Sequence, residues 1–268
     1  MAELHVTSPS NPRLKGVIAL RRRRIREEQG LTVVDGFEEL SLALDAGVVP
    51  QSVLHCPELM LAPSDQGALV ERARDLGATT IRLSRPAFER VAYREGPDGF
   101  LAVVPVAGVG LDDLELPADP LVLVCEGVEK PGNLGAVLRT ADAAGVSAVV
   151  AADPATDWGN PNVVRSSKGT VFSVPVASAT TEEVLGWLRR NGIPLIATTP
   201  AAETVHTAVD YRGAVALAVG TEKEGLTPLV LEASERRVRI PMAGRVNSLN
   251  AATAAAVVVY EAVRQRSG

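Results

Sequence analysis

Apolar residues along the chain follow two alternating patterns, and this alternation predicts an α/β protein. Short runs in which almost every position is apolar are typical of buried strands. In the first half, strand-like segments with fewer apolar residues span 31–36, 51–56 and 79–84, and a more continuous apolar run spans 99–106. Between them, apolar residues recur every three or four positions, as in 37–47, which is typical of amphipathic helices. The first half is therefore predicted to form a small α/β domain, preceded by a basic helix.

The second half repeats the alternation with more continuous apolar runs. Strands are predicted at residues 121–126, 146–152, 194–199, 214–220 and 236–241. Helices are predicted at residues 133–144, 181–191 and 247–265. Nearly continuous apolar strands that alternate with helices indicate a parallel sheet covered on both faces. Because ligands of such sheets bind at the carboxyl ends of the strands, we expect the chemistry of the protein there.

The two halves are separated by a segment without any periodic pattern. Residues 105–120 are rich in Pro, Gly and Asp, which is typical of a connection between domains. A chain of 268 residues is long enough for two domains of ordinary size. We predict an N-terminal domain over residues 1–106, a linker over 107–119 and a C-terminal domain over 120–268.

Positive charge is concentrated at the start of the chain, although the formal net charge is −5. Residues 1–26 hold one acidic residue, Glu3, against Arg13, Lys15, Arg21, Arg22, Arg23, Arg24 and Arg26. A basic segment on an acidic protein fits binding to a polyanion, but it fits an ordinary solvated helix equally well. Aromatic residues make up only 3% of the chain, so stacking on nucleobases cannot dominate any such binding.

The content of histidine, cysteine and long apolar runs disfavours several classes of protein. The histidines are His5, His55 and His206. Their scattered positions do not form a metal-binding pattern. Cys56 and Cys125 lie in apolar runs, as expected of buried cysteines in a reducing compartment. The longest apolar run, 249–260, is shorter than the roughly 20 residues that span a bilayer. With no apolar secretory segment near the start, we expect a cytoplasmic protein without a membrane partner.

The first predicted strand end with candidate chemistry follows the run 121–126. The next residues read EKPGNLGAVLRTADAAG, in which Pro131 and Gly132 predict a turn and Asn133 is expected to cap a helix. Arg139 is the one cation within this otherwise small and apolar helix. Its guanidinium either lies in water above a packed stem, or is directed at a phosphate or a reacting hydroxyl.

Two further strand ends also carry polar residues. After 214–220 comes TEKEGLTP, where Gly220 permits close backbone approach and Glu222 places a carboxylate just beyond the strand. After 236–241 comes a long apolar helix, and Asn247, Ser248 and Asn250 precede it. So apolar a helix must be buried nearly all round, by its own sheet or by a second subunit. Each segment taken alone fits an ordinary capped helix or charged loop as well as a site.

Taken together, these segments closely resemble the three motifs of the SpoU (TrmH) branch of the SPOUT methyltransferases. The matching stretches are PGNLGAVLRTADAAG, AVGTEKEGL and IPMAGRVNSLNAATAAAVVVYEA, in that order and at that spacing. VVRSSKGTVFSVPV resembles the segment that lies between the first two motifs, so the resemblance covers the second half. The first half is similar to the N-terminal domain of ribosomal-RNA members, which has the fold of small RNA-binding ribosomal proteins. Lys130 departs from the family, which often has aspartate there.

The resemblance implies a C-terminal SPOUT domain with a parallel sheet and a deep trefoil knot, in which S-adenosylmethionine binds. It implies cofactor contacts at Gly220, Ile240, Leu249 and Thr198. It implies a catalytic set of Arg139, Asn133, Glu222, Ser248 and Asn250. RNA contacts are implied at Arg139 and Arg165, and the basic segment adds Arg21, Arg22, Arg23 and Arg24 as candidates. Family members are homodimers whose active sites borrow residues from the partner chain, and the apolar final helix fits that use.

The implied reaction is methylation of a ribose 2′-hydroxyl in RNA, with 23S ribosomal RNA as the expected substrate. Transfer from a sulfonium to an oxygen is an in-line displacement, for which orientation alone can contribute about 7 to 11 kcal/mol. A guanidinium stays protonated in proteins, so we expect Arg139 to position the hydroxyl and stabilise negative charge, not to remove the proton. A substrate phosphate or an ordered water is expected to accept it.

Two alternatives stay open at this point. The chain could methylate a 2′-hydroxyl of transfer RNA, although that branch of the family carries different terminal extensions. It could also be a relative that binds ribosomal RNA without methylating it. Retention of the whole implied catalytic set favours an enzyme. The sequence does not decide which nucleotide is modified, or whether the modification is housekeeping or protects the ribosome from an antibiotic.

Overall fold

The protein is described by a computed structural model that covers residues 4–267 and forms two compact units. Unit 1 runs to Ala107 and also includes the segment Asp157–Ser173. Unit 2 contains Gly108–Thr156 and the chain from Val174 onward. The predicted C-terminal domain therefore contributes one internal segment to the first unit. Glu3, counted in the charge of the basic segment, lies outside the described residues.

Strands and helices alternate through both units. The strands are β1 (Leu4–Val6), β2 (Leu31–Asp35), β3 (Ser52–His55), β4 (Thr79–Leu83), β5 (Phe100–Pro105), β6 (Leu121–Glu126), β7 (Ala148–Ala152), β8 (Val176–Ala179), β9 (Leu195–Thr198), β10 (Thr204–Val205), β11 (Val215–Val219) and β12 (Arg236–Arg239). The helices are α1 (Pro12–Ala19), α2 (Arg23–Gln29), α3 (Phe37–Asp45), α4 (Pro63–Asp75), α5 (Arg85–Val91), α6 (Pro131–Ala144), α7 (Pro161–Ser166), α8 (Thr181–Arg190), α9 (Pro228–Ala233) and α10 (Ala251–Arg266).

Unit 1 is built on a mixed sheet with the order β1-β4-β3-β5-β2. β5 pairs antiparallel with both β2 and β3, while β1, β4 and β3 run parallel. Apolar side chains of the sheet pack against those of α1 and α5, as Leu54 and Leu101 do with Leu14 and Phe88. The predicted single basic helix is in fact two helices, because the chain turns at Leu20–Arg22 between α1 and α2.

Unit 2 contains the predicted parallel sheet, in the order β10-β12-β9-β11-β6-β7-β8. Every pairing in this sheet is parallel. All residues of β6, β7 and β11 are buried, which requires cover on both faces. α8 and α9 cover one face, where Trp187 and Val230 pack against Val122 and Val124. α10 packs against α6 and β11.

The segment Asp157–Ser173 is held in unit 1 by side chains that are distant in sequence. Arg26 is 2% exposed, and its guanidinium donates to Asp157 Oδ1 at 3.0 Å and Oδ2 at 2.5 Å. The hydroxyl of Thr32 donates to the carbonyl of Gly159, and Asn162 Nδ2 donates to the Tyr93 hydroxyl at 2.9 Å. α7, which carries Arg165, is thereby fixed to β2 and to the turn after α5.

The segment predicted as a linker packs against unit 2. Leu111, Leu114 and Leu116 lie against the core of unit 2, and residues Leu111–Asp113 form a short 3-10 helix. Val109 makes a parallel bridge to Ala177 at the end of the sheet. The sequence did not predict this packing, because the segment is rich in Pro and Gly and its three leucines do not follow a sustained helix or strand period.

Candidate active site

Three of the implied catalytic residues meet at the carboxyl edge of the sheet in unit 2. Asn133 Nδ2 donates to Glu222 Oε1 at 3.2 Å. Asn250 Nδ2 donates to Asn133 Oδ1 at 3.0 Å and also to Glu222 Oε1. The residues come from α6, the loop after β11 and the start of α10. We call this arrangement the Asn133–Glu222–Asn250 cluster; it brings together the three separate sequence motifs.

Lys130 joins this cluster, which sequence reasoning had noted only as a departure from the family. Its Nζ lies 2.5 Å from Glu222 Oε2. The hydrogen bond from Lys130, followed by those from Asn133 and Asn250, lowers the pKa of the Glu222 carboxyl below its usual value. The same contact raises the pKa of Lys130. The turn before α6 and the loop after β11 are thus joined by an ion pair, in which Lys130 balances the charge of Glu222.

The two asparagines of the cluster differ in whether they cap a helix. Asn133 does not cap α6, because Pro131 occupies the first helical position and Lys130 is the N-cap residue. That prediction was wrong, and the Asn133 amide is instead used in the cluster. Asn250 does cap α10, since its Oδ1 accepts from the backbone N–H of Ala252 at 2.9 Å. The helix therefore begins at Ala251, later than predicted, and the cap fixes the amide that reaches Glu222.

A cavity of about 410 Å³ adjoins the cluster, and Glu222 is part of its wall. The four implied cofactor residues and Ser248 also line it: Thr198, Gly220, Ile240, Ser248 and Leu249. A volume of this size suits a small organic ligand. A second cavity, of about 400 Å³, is lined by Lys130 and Asn133 and also by Glu222.

The walls of the first cavity fit a ligand with both apolar and polar groups. Thr198 Oγ1 is buried and has no hydrogen-bond partner within residues 4–267, so a bound polar group can satisfy it. Ile240 and Leu249 supply apolar surface. Gly220 must be glycine here, because a Cβ would stand 2.1 Å from the carbonyl oxygen of Gly225. Gly225 itself has φ of +74°, a left-handed conformation that glycine adopts without strain.

Arg139 is not part of the cluster within one chain. It is exposed on α6, and no other described residue pairs with its guanidinium. It follows Asn133 by six positions, which turns it about 120° away around the helix axis. The structure therefore leaves a free guanidinium on the surface of the helix that also carries Asn133.

The basic residues proposed to bind RNA have different surroundings in unit 1. Arg165 and Arg22 are exposed, and their side chains have no partner among residues 4–267. Arg21 donates to the carbonyls of Val91 and Ala92 and lies over the Tyr93 ring. Arg23 pairs with Glu27, and Arg24 pairs with Glu28.

The two cysteines agree with the sequence expectation. Cys56 and Cys125 are both buried and free, and burial raises the pKa of Cys125 to about 12. Within the described part of the chain, no three acidic, histidine or cysteine residues are grouped as metal ligands. None of the helices in residues 4–267 combines the length and the apolar content that crossing a bilayer requires.

Comparison with known families matches the same segments that form this site. The model of the SpoU rRNA Methylase family matches residues 120–260, which is more than half of the chain. The chain belongs to the SpoU rRNA methylase family. The model described as the MRM3-like substrate binding domain matches residues 11–102, within unit 1.

Individual relatives extend over most of the chain. One is the 23S rRNA (guanosine-2′-O-)-methyltransferase RlmB of Ralstonia nicotianae, 42% identical over 71% of this chain and 80% of its own. Another is the 23S rRNA (uridine(2479)-2′-O)-methyltransferase of Streptomyces viridochromogenes, 32% identical over 92% of this chain and 87% of its own. The AdoMet-bound rRNA methyltransferase structure from Sinorhizobium meliloti superposes with a TM-score of 0.88 at 28% identity, covering 97% of each chain.

Proposed function

We propose that this protein methylates a ribose 2′-hydroxyl of ribosomal RNA, using S-adenosylmethionine. The observation that carries the proposal is that Glu222 lines both a cavity suited to the methyl donor and a second cavity at the polar cluster, where an acceptor can be held. The relatives named above are 23S ribosomal RNA 2′-O-methyltransferases, which supports 23S RNA as the substrate class. Unit 1 contains the match to a substrate-binding domain, which supports RNA as its partner.

The donor fits the first cavity by the chemistry of its walls. Thr198 would bind a polar group of the donor, Gly220 would let its backbone approach closely, and Ile240 and Leu249 would cover apolar parts. When bound, S-adenosylmethionine supplies a methyl group activated on a positively charged sulfur. The relative from Sinorhizobium meliloti is described as AdoMet bound, which supports this assignment.

The polar cluster would hold the acceptor. Glu222, kept ionised by Lys130, orients the amides of Asn133 and Asn250 toward one place. Ser248 lines the donor cavity and would supply a further hydrogen bond. Arg139 would position the 2′-hydroxyl and its neighbouring phosphate and stabilise the charge that develops on oxygen. A phosphate or water accepts the proton, because no histidine lines either cavity.

A homodimer completes this arrangement. Arg139 is exposed and turned away from Asn133 on its own helix, which supports its use in the site of a partner chain. Tyr260 is 49% exposed on α10 and Val246 is 63% exposed before it, so apolar surface is available for association. A trefoil knot and a cytoplasmic location are also part of the proposal; two buried cysteines that form no disulfide support the latter.

Arg165 and the arginines from Arg21 to Arg24 would contact RNA phosphates. Arg165 and Arg22 are the best placed, because both are exposed and have no partner in the described chain. The other arginines would have to exchange an internal contact for a phosphate.

The experiment uses the purified protein, donor labelled in its methyl group, and unmodified RNA. Ribosomal and transfer RNA are incubated separately and then hydrolysed with alkali, which does not cut beside a 2′-O-methyl ribose. We expect label in alkali-resistant dinucleotides from 23S RNA alone. Label in transfer RNA would show that transfer RNA, not ribosomal RNA, is the substrate class. If the protein bound the donor but transferred no label to RNA, it would be a binding protein, and the proposed methyltransferase activity would be overturned.

A further inference from the structure

We propose that Glu126 is a positioning residue for the methyl donor, a role that rests on the proposed function. Glu126 is the last residue of β6 and is 3% exposed. It lines neither of the two cavities, yet it accepts three hydrogen bonds at the carboxyl edge of the sheet. The geometry indicates that it closes the loop Gly220–Leu226, which forms much of the wall of the first cavity.

The hydrogen bonds of Glu126 are directed mainly at the residue that ends this loop. Thr227 Oγ1 donates to Glu126 Oε1 at 2.6 Å, and the Thr227 backbone N–H donates to Oε2 at 2.8 Å. The Thr181 hydroxyl, on α8, donates to Oε1 at 3.3 Å. No cationic side chain in residues 4–267 pairs with Glu126. A buried carboxyl group with only neutral donors depends on these three bonds for its stabilisation.

Adjacent residues of β6 hold the two ends of the loop. At its start, Val219 pairs with Cys125 across the sheet. At its end, Thr227 is bound by Glu126, the next residue of the same strand. Within the loop, Thr221 and Gly225 exchange backbone hydrogen bonds of 3.1 Å in both directions. The loop is therefore closed at both ends by a central strand, and only the Glu126 end depends on side chains.

The hydroxyls of Thr227 and Thr181 both donate to Glu126, but only the Thr227 hydroxyl also holds the end of the loop. It donates to Glu126 and accepts from the backbone N–H of Val230, as the N-cap residue of α9. Thr181 is the first residue of α8, whose cap is Thr180, and it does not line the donor cavity. Removing the Thr181 hydroxyl thus removes a Glu126 contact without releasing the loop, which makes it the matched control.

The test measures donor binding by calorimetry, and loop opening by amide hydrogen exchange without donor. In Thr227→Val we expect the Kd and KM for S-adenosylmethionine to rise about ten-fold, as loss of a hydrogen bond to a carboxylate implies. Exchange at Thr221, Gly225 and Thr227 should accelerate. The kcat at saturating donor and the KM for RNA should stay within about two-fold, because the Asn133–Glu222–Asn250 cluster keeps its own hydrogen bonds.

Two control variants separate positioning from general stability. Thr227→Ser retains the hydroxyl and should restore the wild-type Kd, while Thr181→Val should leave the Kd and loop exchange unchanged. Glu126→Gln provides a second test of the carboxyl group and should weaken donor binding in the same direction. Unchanged donor affinity in both Thr227→Val and Glu126→Gln would overturn the proposal, as would equal weakening in Thr181→Val. Wild-type protein that binds no donor would instead refute the proposed function.

Discussion

The Asn133–Glu222–Asn250 cluster and the arginine run from Arg21 to Arg26 both look functional in sequence, but their environments differ. In the cluster, residues from three distant segments converge beside two cavities. In the arginine run, most guanidinium groups are bound within unit 1, and Arg26 is buried against Asp157. Convergence of distant polar residues on a cavity is thus a better sign of a site than a local concentration of charge.

The difference follows from what each group needs when it folds. Glu222 and Asn133 line a cavity, and Asn250 is exposed beside them, so their remaining hydrogen-bonding capacity can serve a ligand. Arg26 has lost its water, and four hydrogen bonds to Asp157 and to the carbonyls of Leu20 and Arg21 replace it. A run of basic residues therefore contains both structural and available cations, which sequence composition cannot separate.

The largest expected effect breaks the structural side of this comparison. Asp157→Ala leaves the Arg26 guanidinium buried without its counter-charge, so we expect the free energy of unfolding to fall by about 3 to 5 kcal/mol. Glu27→Ala removes the partner of Arg23 at the protein surface and should cost less than about 1 kcal/mol. Urea unfolding of both variants measures this difference. Equal losses would show that the burial of Arg26 has no energetic consequence.

The next effect addresses the available guanidinium of Arg139. Arg139→Lys keeps the charge but loses the planar, two-pronged donor, so we expect kcat to fall about 100-fold with unchanged donor affinity. Arg189→Lys on α8 is the control, since Arg189 is also exposed and lies away from both cavities. Single-turnover methylation and calorimetry separate the two quantities. Wild-type turnover and an unchanged pH profile in Arg139→Lys would exclude the proposed role.

The sequence predicted those features of the site that depend on local patterns of residues. The parallel sheet was predicted because β6, β7 and β11 are continuous apolar runs. The strand ends indicated where a ligand would bind, but the site residues themselves were implied by the resemblance to the SpoU family. The cap error at Asn133 was avoidable, since Pro131 favours the first helical position and so places the cap at Lys130.

What could not be predicted depends on contacts between residues far apart in the chain. The ion pair of Arg26 and Asp157 joins positions 131 residues apart, so no local pattern marks Arg26 as buried or the Asp157–Ser173 segment as part of unit 1. Lys130 was noted only as a departure from the family pattern, because its contact with Glu222 joins residues 92 positions apart. Neither the periodicity of apolar residues nor the composition predicts contacts between residues so far apart in the chain.

A smaller effect concerns the pH range over which the cluster keeps its charge. Because the pKa of Glu222 is lowered in the folded protein, its ionised form stabilises the fold above the usual value of 4.5. This contribution declines as pH falls below that value and is gone once pH has fallen through the lower, folded pKa. We expect the difference in Tm between wild type and Glu222→Gln to be constant from neutral pH down to 4.5 and to shrink below it. A difference that shrinks already above 4.5 would contradict the lowered pKa.

The smallest expected effect distinguishes available from bound arginines within the same run. Arg22 is exposed without a partner in residues 4–267, whereas Arg24 is paired with Glu28 one helical turn away. Each phosphate contact to single-stranded RNA contributes about 0.7 to the slope of log affinity against log salt concentration. Arg22→Gln should therefore lower that slope by about 0.7, and Arg24→Gln by less, because Arg24 must first release its carboxylate.

The slope, measured by RNA titration over a series of salt concentrations, carries more information than affinity at one salt. A change in affinity with no change in slope would mean that Arg22 acts on the fold and not on phosphates. Equal slope changes in Arg22→Gln and Arg24→Gln would mean that RNA displaces Glu28 at little cost, since exposed ion pairs of this kind contribute only about 0.3 to 0.5 kcal/mol. In that outcome the whole run binds RNA, and within it only the burial of Arg26 still distinguishes a structural arginine from an available one.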